Sequence, residues 1–69
     1  MKVYNTKEVI KVLKVNGYVV IRQNGGSHAI WFNAEKNDRF VLPTGHHAKE
    51  INRMLWQRIV KEHHIICEF

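Results

Sequence analysis

The stretch Asn24-Gly25-Gly26-Ser27-His28-Ala29-Ile30-Trp31-Phe32-Asn33 constrains this chain most, because it must open as a turn and continue as a strand. Asn24-Gly25-Gly26 supplies residues that tolerate positive φ, as tight hairpin turns require. From Ser27 onward the side chains should alternate between two sheet faces. His28, Ile30 and Phe32 then share one face, and Ser27, Ala29, Trp31 and Asn33 share the other. A histidine just after a glycine turn is held near the rim of a sheet, where a substrate can reach it, and this suits a catalytic base. The same spacing also fits a strand histidine that only hydrogen-bonds a neighbour. Residue spacing alone leaves both readings open.

Patterns on either side set the rest of the order. Asn5 is a good N-cap with Glu8 three residues later, as in a capping box, so a helix is expected from about Thr6 to Asn16. Val9, Ile10, Val12 and Leu13 form its apolar stripe, and Gly17 is placed to end it in the left-handed C′ position. Lys7, Lys11 and Lys14 lie near one outer stripe, a solvated face that also fits a phosphate track. Tyr18 to Gln23 is a strand by its β-branched and aromatic content, and Ala34 to Asp38 is a polar turn. Arg39 to Leu42 is a third strand, ended by Pro43, which cannot donate to a ladder. A second helix is expected from about Ala48 to His63, with Ile51, Met54, Leu55 and Ile59 buried and Trp56 and Val60 widening the stripe. The tail Ile65-Ile66-Cys67-Glu68-Phe69 is apolar and should either pack back on the body or meet a partner.

Sixty-nine residues suffice for one domain with a small core. The expected class is therefore α+β, with a three-stranded antiparallel meander and two helices on one face. This is the α-β-β-β-α arrangement of double-stranded RNA-binding domains, which read RNA by shape, phosphates and 2′-hydroxyls. A net charge of +5 favours a polyanionic or acidic partner. Cys67 is the only cysteine, and no leader or membrane span is visible, which fits a reducing cytoplasm. His46-His47 and His63-His64 are adjacent pairs whose members should diverge, and no Cys-x-x-Cys or His-x-x-x-His pattern supports zinc, so neither metal nor cofactor is expected. Trp31 and Trp56 fit core packing better than base stacking.

Taken together, the lysine-rich first helix, the Gly17-Tyr18 step, Arg22, Gly26-Ser27-His28 and Val41-Leu42-Pro43 resemble the HicA toxins. The histidine-bearing loop and amphipathic last helix extend the resemblance over nearly the whole chain, as one toxin domain spanning residues 1–69. The chain departs from the family pattern at Pro43-Thr44-Gly45-His46, one residue longer than the usual proline-x-histidine, and at Ala48-Lys49-Glu50-Ile51, which lacks a glycine. The resemblance implies the toxin half of a type II toxin–antitoxin pair, acting as an endoribonuclease on messenger RNA and silenced by a HicB-type antitoxin. It matches the family's catalytic histidine to His28.

Cutting RNA without a metal uses the substrate's own 2′-hydroxyl, and an imidazole can take its proton or protonate the leaving oxygen. Arg22 is the best cation for the phosphate, and Gly25, Gly26 and Ser27 can offer backbone N–H groups. The rival reading is a non-catalytic module that only grips double-stranded RNA, which has no need of an imidazole at position 28. A third is a structural subunit bound to an acidic partner.

Overall fold

The computed structural model describes residues 3–23, 26, 28–45 and 48–69. Among these the order is β1 (Val3–Asn5), α1 (Thr6–Val15), β2 (Val19–Gln23), β3 (Ala29–Asn33), β4 (Asp38–Leu42), β5 (Glu50–Asn52) and α2 (Arg53–Glu62). Strands β2, β3 and β4 form an antiparallel meander in that order, so the α-β-β-β-α succession is present. Alternation in β3 follows the expected phase. Ala29, Trp31 and Asn33 are buried, while Ile30 and Phe32 are only half-buried. Opposite them Leu42 and Phe40 are also buried, and α1 and α2 close this face with Val9, Leu13, Trp56 and Ile59.

The ends of α1 are set by local chemistry. Asn5 Oδ1 accepts the Lys7 N–H at 2.8 Å, which satisfies one of the donors a helix start leaves open. At the other end the Gly17 N–H donates to the Lys14 carbonyl and the Tyr18 N–H to the Leu13 carbonyl, a Schellman pairing. Gly17 has φ +90°, and a Cβ there would lie 3.2 Å from Asn33 Nδ2. That amide donates to the Asn16 carbonyl and ties β3 to the helix end. Gly17→Ala is therefore expected to cost about 1–2 kcal/mol, from left-handed backbone strain before any displacement of Asn33. A urea midpoint equal to that of the parent, at unchanged slope, would refute this.

Three expectations need correction. Residues before α1 are not a bare lead-in: Val3–Asn5 pairs with Glu50–Asn52 in a second, two-stranded antiparallel sheet. The last helix begins at Arg53 rather than near Ala48, because residues 50–52 are drawn into that pairing and Asn52 caps the helix. Asn52 Oδ1 accepts the N–H groups of Met54 and Leu55, so the helix cannot extend backward through it. Met54, expected in the apolar stripe, is 76% exposed; this register centres Trp56 in the core instead. Trp31 and Trp56 are both packing residues, 1% and 0% exposed. The Trp31 indole donates to Thr44 Oγ1 at 2.8 Å, whereas that of Trp56 meets no acceptor among the described residues.

The apolar tail packs back. Ile65 is buried, the Asn16 carboxamide both donates to and accepts from the backbone of Ile66, and Phe69 lies against Tyr4 with ring centroids 5.1 Å apart. Among the described residues, no helix is long and apolar enough to cross a membrane.

Candidate active site

The β2–β3 hairpin positions the expected site. Its ladder pairs Val19 with Phe32, Val20 with Trp31, Arg22 with Ile30 and Gln23 with Ala29, with a bulge between Val20 and Arg22. Gly26, in the connection, is exposed with φ +107°, a conformation that side chains other than glycine rarely adopt. Asn24, Gly25 and Ser27, the last two expected as N–H donors, lie outside the described residues. His28 is exposed and stands one residue ahead of β3 rather than within it. Arg22 faces Ile30, and His28 lies two positions before Ile30, outside the ladder. The hairpin thus sets an exposed imidazole and an exposed guanidinium at one end of the sheet.

Directly paired residues share a face, so Arg22 lies on the side of Ile30 and Phe32, away from the helices. Arg39 lies opposite Phe32 and is exposed on that same open side. It was not singled out as a site residue from sequence, although the alternation around buried Phe40 is the signal that gives its direction. Lys7, Lys11 and Lys14 are exposed on α1, as a phosphate track would need. They belong to the helical layer and not to the face that carries Arg22 and Arg39. His46 and His47 lie outside the described residues.

A polar cluster at the opposite end of the sheet is the feature that sequence did not suggest. Tyr18 Oη donates to Asp38 Oδ2 at 2.7 Å, and His63 Nδ1 lies 2.8 Å from the same oxygen. An ionised carboxylate only accepts, so that ring nitrogen carries the proton. Lys36 Nζ donates to the His63 carbonyl at 3.0 Å, and the His63 ring rests on Phe40. Burial works to raise the Asp38 carboxyl, but the bonds from Tyr18 and His63 and the charges of His63 and Lys36 outweigh it and hold the group below its ordinary value. Burial first, then the bond and charge of Asp38, push the Tyr18 hydroxyl far above its ordinary range.

A lowered folded-state value means that Asp38 stabilises the fold above about pH 4, and that this contribution is lost as pH falls through the lowered value. Asp38→Asn should therefore cost about 1 kcal/mol at neutral pH and flatten the loss of stability in acid. Urea midpoints from pH 7 down to pH 2 test this; an acid decline as steep in the variant as in the parent would overturn it.

The α-β-β-β-α fold and a net charge of +5 define a small basic α+β domain in which His28 and Arg22 are both exposed. The chain matches the family described as the HicA toxin of bacterial toxin-antitoxin over residues 6–65, and it belongs to that family. It is thus of the toxin class, for which a cognate antitoxin is the general partner. No curated protein and no solved structure matches it.

Proposed function

We propose that the chain is an endoribonuclease toxin that cuts messenger RNA in the cytoplasm, with His28 as its acid–base group. The observation that carries this is the exposed His28 in the connection between β2 and β3, two positions before the Ile30 that pairs with Arg22, in a chain of the HicA family. His28 takes the proton of the substrate's 2′-hydroxyl; that oxygen bonds to phosphorus and the bond to the 5′-oxygen breaks as the leaving oxygen takes a proton from solvent, giving a 2′,3′-cyclic phosphate and a 5′-hydroxyl, and His28 returns its proton to solvent. The step needs no metal. Arg22 and the N–H groups of Gly25, Gly26 and Ser27 stabilise the charge that builds on the phosphate. A HicB-type antitoxin covers this end of the sheet and excludes RNA.

The test is purified chain acting on end-labelled RNA in a chelator, with the products resolved by their terminal phosphate. Cyclic-phosphate ends support the reading, and intact RNA that remains bound assigns the chain to the RNA-binding modules instead. Affinity of the His28→Ala variant for RNA should fall steeply with salt, because each phosphate contact releases counterions. Replacing Lys7, Lys11 and Lys14 together should reduce the slope of log affinity against log salt by up to about 2–3 units. A slope unchanged by the triple replacement would remove α1 from the RNA surface.

A further inference from the structure

Among the described residues, the outer edge of β2 has no strand beside it. It pairs with β3 on one side and is the terminal strand of its sheet. All five of its residues are exposed, including the consecutive apolar side chains Val19, Val20 and Ile21 at 55%, 42% and 51%. Val20 faces Trp31, on the helix-covered side, so the helices stop short of this edge. The terminal strand at the other side, β4, buries Phe40 and Leu42. Natural sheets protect such edges with lysine, proline, inward charge or bulges. Here the protection is one bulge and Arg22. An edge this apolar is a template for strand addition, in which backbone bonds supply affinity and side-chain pockets supply choice.

We propose that β2 receives an extended acidic segment of the antitoxin as a fourth strand of the sheet. The inference rests on family membership, which supplies the antitoxin, and not on the chemistry of His28. Charge selects this occupant. The chain carries +5, and the strand's own charged group is a cation, so an acidic segment is attracted. A second copy would bring two +5 chains edge to edge. A segment on β2 also runs beside Arg22 toward the His28 end of the hairpin, so the same strand that anchors the partner takes up the site's cation.

The experiment uses the complex purified after co-expression with the polypeptide encoded beside this chain. Hydrogen exchange is followed for the free chain and the complex, and binding is compared for Val19→Lys/Ile21→Lys and, as a surface control, Met54→Lys. All three positions are exposed, and thermal melts of the isolated variants check folding. Slowing of β2 amide exchange in the complex, with affinity about tenfold or more weaker for the double variant than for Met54→Lys, supports the proposal. Unchanged β2 exchange in a formed complex overturns it while leaving the antitoxin pairing intact. Protection of β2 in the free chain that grows with concentration assigns the edge to self-association, and failure to form any complex overturns it as well. RNA cleavage is not a readout, so the fate of the nuclease reading does not decide this one.

Discussion

His28→Ala is expected to lower RNA cleavage by about 10²–10⁴-fold, the usual worth of one positioned acid–base group. It should also abolish growth arrest in bacteria that express the chain without its partner. The fold should survive, because His28 is exposed, precedes β3 and is no part of the buried cluster. Circular dichroism and a urea midpoint within about 0.5 kcal/mol of the parent would show this. Arg22 offers a companion measurement. If it stabilises the phosphate in the transition state, Arg22→Gln should lower the maximal rate more than RNA affinity. A folded His28→Ala protein that cleaves at the parental rate would remove this histidine from the chemistry.

Trp31→Ala should have the opposite signature: toxicity lost because the fold is lost. Trp31 is 1% exposed, faces Val20 and Phe40 across the sheet, and anchors Thr44 through its indole nitrogen. Deleting a buried tryptophan costs about 3–5 kcal/mol. A single core of under about 70 residues supplies about the same amount in total. The variant should be largely unfolded at 25 °C by circular dichroism and by amide exchange. Trp31→Phe keeps most of the ring but strands the buried Thr44 hydroxyl, at about 1–3 kcal/mol, and should remain folded. A cooperative Trp31→Ala transition near the parental midpoint would show that the sheet is held from elsewhere.

The parts of this fold that were legible in the sequence are those with local causes. Asn5 and Gly17 bracket α1 because a cap and a left-handed residue act within a turn of themselves. The phase of β3 is readable because Ala29, Trp31 and Asn33 alternate with Ile30 and Phe32. The parts that were not legible depend on distant partners. Ala48-Lys49-Glu50 consists of good helix formers, and only the backbone of Val3–Asn5 makes a strand of Glu50–Asn52. Asp38 meets His63 only because the end of α2 descends onto the start of β4. For the site, spacing could put His28 near a rim, and the pairing of Arg22 with Ile30 fixes which face of the sheet Arg22 takes. Arg39 needed the observed register to join Arg22 on one face.

The small β1–β5 sheet bears on how this chain is made. Thr6 donates through its hydroxyl to the Ala48 carbonyl, 42 positions away, and the Asn16 carboxamide holds Ile66, 50 positions away. Contacts of such separation form late, because loop closure must be met before they reward it. Chains leave the ribosome at about 5–20 residues per second. The first helix therefore waits seconds for the strand and tail that fasten it.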